Sequence, residues 1–225
     1  MKIDLLQHSS LEVTAHAIRT CWQSFDNSDD GGEKDKDLIN RVGNKFKHGS
    51  TLEHLTYTFY IAGVSRALLQ ELARHRIASP SVKSTRYTLK ELKDEASFTD
   101  GMSMAELLKA YTNPDEVYKD KHVVRAGKYL VYTDVLGVDF ASIVALENLR
   151  LMLVDGVSND KAKYCLPESY KTELTWSINA RSLQNFLSLR STKAALWEIR
   201  DLAVAIYETL PEDHQYLFSQ CISKD

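Results

Sequence analysis

Apolar side chains recur at helical spacing over residues 114–136, 140–154 and 193–210, and each stretch predicts a helix with one buried face. Pro211 ends the last of them, because proline has no N–H with which to continue the turn. Residues 175–189 predict a further helix, and Ser158-Asn159-Asp160 is placed to cap a short one that Pro167 stops. In the first half the punctuation is denser. Ser9-Ser10-Leu11-Glu12 has the form of a capping box opening a helix to about Trp22. Polar residues 27–36, centred on Gly31-Gly32, predict a loop, and a second helix is expected over 37–47, ending at His48-Gly49. Residues 55–61 alternate apolar and hydroxyl-bearing side chains, the period of a half-buried strand. Helical spacing returns over 64–73, and residues 87–92 predict a second extended segment. No linker, repeat or low-complexity block interrupts the pattern. It predicts a single α+β domain over residues 1–225, a small sheet among helices.

Composition narrows what such a domain can do. An apolar fraction of 44% and a charged fraction of 26% are those of a soluble globular protein. A net charge of −3 argues against a general nucleic-acid binder, which needs broad phosphate neutralisation. Cys21, Cys165 and Cys221 are odd in number, far apart and outside any CxxC or Cys/His cluster, so neither a disulfide framework nor a zinc site is indicated. No apolar run has the length of a membrane span or the form of a signal peptide, so the expectation is a cytoplasmic protein without membrane contact.

The positive charge is local. Residues 74–87 hold four cations, a histidine and four Ser/Thr hydroxyls in fourteen positions, closing on Tyr87. Arginine forks and hydroxyls hold phosphate with directional hydrogen bonds, and Arg74-His75-Arg76 falls where the helix over 64–73 ends. Ser84, Thr85 and Arg86 follow closely enough for one loop to fold back and aim both ends at one anion. Basic residues in a last helical turn are also ordinary capping, and a Ser/Lys/Arg loop is also ordinary solvated surface.

A second constellation spans residues 177–190. Ile178, Leu183, Phe186, Leu187 and Leu189 supply a buried face, while Arg181 and Asn185, four apart, are neighbours on another. Asn179 joins them only if the helix starts there, and Arg190 ends the run. Asparagine offers donor and acceptor together and arginine five donors, the mixture a heterocycle with carbonyls and imide nitrogens requires. A polar helix face with an arginine cap would look the same. His48 and His54 lack the i, i+4 spacing of helical metal ligands, and there is no dinucleotide fingerprint or P-loop.

These residues resemble the signature of the flavin-dependent thymidylate synthases: Arg-His-Arg, seven residues, then Ser-x-Arg-Tyr. Arg74-His75-Arg76 and Ser84-Thr85-Arg86-Tyr87 match it with the correct spacing. Ser50-Thr51-Leu52-Glu53-His54 upstream and Asn179-Ala180-Arg181 and Asn185 through Arg190 downstream follow in order, so the resemblance spans roughly residues 10 to 210. It implies an FAD-dependent methyltransferase that makes dTMP from dUMP, with 5,10-methylenetetrahydrofolate as carbon donor and NADPH as reductant. It also implies a small antiparallel sheet surrounded by helices, and a homotetramer with active sites between subunits.

The resemblance carries over residue by residue. Ser50, Arg74, His75, Arg76, Val82, Asn179, Arg181 and Asn185 fall where the family contacts FAD. Glu71, Arg74, Ser84, Arg86, Lys163 and Arg190 fall where it contacts dUMP, Glu71 at a position that is commonly glutamine. Arg190 matches the arginine that activates the uracil ring. Removing the imide proton of uracil leaves an anion spread over ring nitrogen and carbonyls, which a fixed guanidinium stabilises without a cysteine nucleophile. Three positions depart from the family. Ser81-Val82 replaces a frequent Asn-Glu, Lys163 replaces an arginine and loses bidentate geometry, and Ala194 stands where some members have histidine. The alternative from another class is a non-catalytic oligomeric nucleotide-binding protein that keeps the anion-gripping segment. An RNA-binding module built on Arg-His-Arg fits the acidic balance less well.

Overall fold

The computed structural model describes residues 1–111 and 113–223, and of 114 and 115 the backbone alone. In chain order the regular elements are β1 (Lys2–His8), α1 (Leu11–Thr20), α2 (Glu33–Ile39), β2 (Thr56–Ser65), α3 (Arg66–Leu72), β3 (Ala78–Val82), α4 (Thr85–Thr88), α5 (Met104–Ala110), α6 (Pro114–Val117), α7 (Lys121–Ala126), α8 (Leu136–Val154), α9 (Asn159–Ala162), β4 (Lys171–Asn179), α10 (Ala180–Arg190), α11 (Trp197–Thr209) and α12 (Glu212–Gln215). The class is α+β, with one four-stranded antiparallel sheet in the order β1-β2-β4-β3. The chain divides into two compact units, one of residues 1–62, 70–81 and 174–225 and the other of 63–69 and 82–173. It crosses between them within β2, α3, β3 and β4.

The first unit is built on the sheet. β1 pairs antiparallel with β2, Lys2 opposite Ala62 and Leu5 opposite Phe59, with an irregularity between Leu5 and Gln7. Tyr57, Phe59 and Ile61 on β2 and Leu174, Trp176 and Ile178 on β4 are buried, every second residue, as a sheet with one covered face requires. α10 contributes Leu183, Phe186 and Leu187 to that core, and α11 contributes Ile199, Leu202 and Ile206. The second unit has its own core, in which Phe140, Ile143, Leu146, Leu149 and Leu153 of α8 meet Leu89, Leu92, Phe98 and Tyr170. Buried Glu147 is satisfied there by Arg150 at 2.7 Å and the Phe98 N–H at 2.9 Å.

Several sequence expectations are corrected. The capping box at Ser9–Glu12 does not form: α1 starts after Ser10, whose side chain makes no cap, and the Ser9 hydroxyl accepts the Thr56 N–H at 2.7 Å instead. A capping box exists at Ser103–Glu106, opening α5. The second helix begins at Glu33 and its end is a π-helical turn, Asn40–Lys45. Residues 87–92 are helical, because the Ser84 carbonyl accepts the Tyr87 and Thr88 N–H groups and buried Leu89 and Leu92, three apart, share one face of a 3₁₀ turn. The long helix expected over 114–136 is broken where Asp120 caps a new start at α7. The helix expected from 175 is strand as far as Asn179.

The largest correction concerns the segment 74–87. Its spacer is not a loop that folds back; it contains β3, a five-residue strand at the sheet edge. Pro80 is tolerated there because an edge strand leaves one row of N–H groups unpaired. A strand advances about 3.3 Å per residue, so β3 carries the chain away from Arg74 instead of returning it.

Candidate active site

One face of α10 and the segment after α3 form one cleft in the first unit, about 790 Å³ in volume. Arg74, His75, Arg76 and Ile77 line it from one side, and Arg181, Ser182, Asn185, Leu189 and Arg190 from α10. Helical geometry explains the second set: 181, 185 and 189 are successive i, i+4 neighbours, while 183, 186 and 187 point into the core. Glu53 and the turn carrying Thr192, Ala194 and Ala195 complete the lining.

α10 is anchored at both ends. Asn179 is its N-cap, accepting the Ser182 N–H at 2.9 Å, so its side-chain oxygen is engaged in holding the helix. Arg190 stands in the last turn, where the helix dipole favours a cation by about 0.3–1 kcal/mol. Its guanidinium is unusually well held. Nη1 donates to Glu71 Oε2 at 2.7 Å, Nη2 to the Glu71 carbonyl at 3.3 Å, and Nε to His75 Nε2 at 3.0 Å. His75 therefore accepts at Nε2 and, when neutral, carries its proton on Nδ1. Its ring meets Phe186 edge-on at 5.0 Å, and Phe186 meets Trp176 edge-on at 5.1 Å, so an aromatic chain ties it to the sheet. Burial and then the Arg190 charge hold the His75 pKa below the usual imidazole value, with Glu71 opposing.

Four arginines thus meet at this cleft against two carboxylates. Arg190 and Arg74 share Glu71, the latter at 3.7 Å, and Arg181 pairs with Glu53 at 2.7 Å. Arg76 has no ion pair among the described residues and is exposed. The balance suits a ligand with more than one negative charge. Gly49, just before Ser50, sets the approach of Arg181: a side chain there would stand 3.1 Å from Arg181 Nε. Among the described residues no group of three or more His, Cys, Asp or Glu side chains could hold a metal ion.

The structure brings together Arg74, His75, Arg76, Arg181, Asn185 and Arg190 of the residues expected from sequence, with Glu71 behind them. Asn179 and Ser50 stand at the ends of flanking elements, outside the lining itself. Val82, Ser84, Arg86 and Lys163 belong to the second unit. There Arg86 on α4 bonds Asp160 of α9 at 2.7 Å, the Asn159 side chain donates to the Arg86 carbonyl at 2.8 Å, and Lys163 directly follows α9. The Ser84 hydroxyl makes no capping bond. Sequence reasoning missed the lining roles of Glu53, Ser182, Leu189 and Thr192, although the i, i+4 stripe through Arg181 and Asn185 points to Leu189. It also missed the pairing of Glu71 with Arg190, which no local pattern signals.

The family model described as thymidylate synthase complementing protein matches residues 4–214. The flavin-dependent thymidylate synthase of Wolinella succinogenes is 61% identical over 225 residues, covering the whole of both chains. That of Campylobacter jejuni strain RM1221 is 60% identical, covering 100% of this chain and 99% of its own. A crystal structure of the Helicobacter pylori flavin-dependent thymidylate synthase complexed with FAD and dUMP superposes with a TM-score of 0.86 at 53% identity, covering 99% of this chain and 100% of that one.

Proposed function

The chain belongs to the flavin-dependent thymidylate synthase family, and on that premise we propose that it converts dUMP to dTMP, with 5,10-methylenetetrahydrofolate as carbon donor and NADPH as reductant. The observation that carries this reading is Arg190, a guanidinium held by three hydrogen bonds in the lining of a cationic cleft.

The residues of the cleft fit FAD. Arg74, Arg76 and Arg181 offer guanidinium donors suited to a diphosphate, and Asn185 adds a carboxamide. Asn179, outside the lining, caps α10 with its oxygen and so positions this set of donors. A cleft of about 790 Å³ lies within the usual range for sites that take organic ligands. Held by these residues, FAD would supply the hydride chemistry, with NADPH as the reductant. The rest is done by the chain's own side chains. Arg190 stabilises the negative charge that develops on the uracil ring as its imide proton leaves, in a setting with little water to screen it. His75, neutral, holds Arg190 without adding a competing charge.

Ser84, Arg86 and Lys163 are the donors we assign to the dUMP phosphate. The homotetramer implied by the family, with active sites between subunits, gives these residues of the second unit a route to the cleft of another chain. We take the two units to act as one catalytic domain, and the enzyme to work in the cytoplasm; its three cysteines are free thiols, as a reducing compartment allows. No helix among the described residues is long and apolar enough to cross a membrane.

The test is NADPH oxidation in the presence of FAD, methylenetetrahydrofolate and dUMP, with dTMP measured as product. Formation of dTMP that depends on all four components is the expected result. Tight dUMP binding without dTMP would replace this reading with the non-catalytic nucleotide-binding protein.

A further inference from the structure

Glu71 stands in the last turn of α3, where the helix dipole disfavours a carboxylate, so its charge does not serve that helix. Its partners lie elsewhere in sequence. Its Oε2 receives Arg190 Nη1 at 2.7 Å, its backbone carbonyl receives Nη2 at 3.3 Å, and its Oε1 faces Arg74 at 3.7 Å. One turn further along, His75 receives the third guanidinium nitrogen at 3.0 Å. Three of the five guanidinium N–H groups are thus engaged by positions 71 and 75, and two are left to meet a ligand.

We infer that Glu71 and His75 are positioning residues that lock the Arg190 guanidinium in the orientation its reaction requires. This rests on the reading of Arg190 given above, and it gives Glu71 a different task from the nucleotide contact that family resemblance implies. A residue that only touched dUMP would have no need to bond the part-buried arginine through both its carboxylate and its backbone carbonyl. The aromatic chain from Trp176 through Phe186 to His75 then extends the lock to the core, so the arginine is referenced to the sheet. A glutamine at 71 retains a carbonyl acceptor for Nη1, whereas alanine retains none.

The experiment compares Glu71→Ala and Glu71→Gln with the wild type as FAD-loaded enzyme. A misplaced catalytic group costs up to about a hundredfold, so Glu71→Ala is expected to lower kcat by about tenfold or more with dUMP KM changed less than about threefold. Glu71→Gln is expected to keep kcat within about threefold of wild type, and added formate to restore part of the Glu71→Ala loss by refilling the carboxylate position. The second readout is independent of turnover: the Arg190 Nε–H, identified by NMR through its loss in Arg190→Lys, exchanges slowly in wild type and faster in Glu71→Ala. A rise in dUMP KM at unchanged kcat, or a kcat loss that neither glutamine nor formate relieves, overturns the proposal. So does unchanged Nε–H exchange. If Glu71→Ala does not fold, Glu71→Leu takes its place for the kcat, KM and exchange readouts, and the glutamine comparison stands in for the formate arm, since leucine fills the position formate would take. A wild-type protein that makes no dTMP overturns the functional reading, and the exchange measurement then decides the lock alone.

Discussion

Arg190 and Arg86 each hold a carboxylate at 2.7 Å, yet they are opposite kinds of arginine. The Arg190 side chain is 16% exposed and bound through all three nitrogens to positions 71 and 75. Arg86 is 59% exposed and its partner Asp160 63%, one surface pair between two short helices. Water screens the second pair and leaves either partner free to exchange, whereas the first is fixed by burial and by a neutral imidazole. On the function proposed above, the contrast separates two tasks. A group that must meet charge developing in a transition state gains from being locked beforehand; a group that captures a phosphate from solution must first be available.

The sharpest test of that contrast is truncation of both arginines. Arg190→Ala should keep FAD and lower kcat by about a hundredfold to a thousandfold, the range for removing one donor to a developing oxyanion. Near-normal dTMP formation by this variant would break the assignment. Arg86→Ala should act in the other parameter, raising dUMP KM by roughly tenfold to a hundredfold, the equivalent of about 1.5–3 kcal/mol for a hydrogen bond to a charged group, with kcat at saturation little changed. If the two arginines serve one site from different chains, co-expression of the two variants gives mixed assemblies that recover part of the activity. Assayed at dUMP well below the Arg86→Ala KM, where both variants are weakly active, no recovery on mixing would place both arginines in the same chain's site.

Much of this contrast was legible in the sequence, but not all. The spacing of Arg181 and Asn185 pointed to two residues that line the cleft, because spacing on a helix is a local property, and the local density of charge singled out Arg74 and Arg86. The β3 strand between them was missed, since Ala78–Val82 is almost wholly exposed and contains a proline, and lacks the apolar alternation that marks a covered strand. Thr172, Leu174, Trp176 and Ile178 alternate as a covered strand requires, but the helical spacing of the residues that follow masks that period. The false capping box at Ser9 and the true one at Ser103 differ only in what surrounds them: Thr56 takes the Ser9 hydroxyl. The lock on Arg190 could not be found at all from sequence. Glu71 lies 119 residues away, and carboxylate–arginine pairs leave no periodic trace.

Acidification should act on one arginine's surroundings before the other's. His75 faces Arg190, Glu71, Arg74 and the edge of Phe186, and its pKa lies below the ordinary value, chiefly through burial. Protonation would remove the acceptor of the Arg190 Nε–H and set imidazolium against guanidinium. Because the shift is downward, kcat at saturating dUMP should hold as pH falls to about 6.5 and decline only below it. A group with the ordinary value would cost about elevenfold at pH 5.5, so the loss there should be smaller than that. An acid limb in kcat that begins above pH 6.5 would show that His75 is not the titrating group.

The smallest expected effect lies at Asp160. If its pairing with Arg86 is a surface contact that dUMP must displace, Asp160→Asn should lower dUMP KM, because the nucleotide no longer competes with an internal carboxylate. An exposed ion pair is worth up to about 1 kcal/mol, which limits the gain to about fivefold. Salt should reduce the difference between variant and wild type, since it screens the exposed pair already. Thermal stability should be unchanged, for the Asn159 side chain still ties α9 to α4 through the Arg86 carbonyl. A higher KM in Asp160→Asn would mean the carboxylate orients Arg86 toward the phosphate, and the two arginines would then be alike in being held in place by an acidic partner.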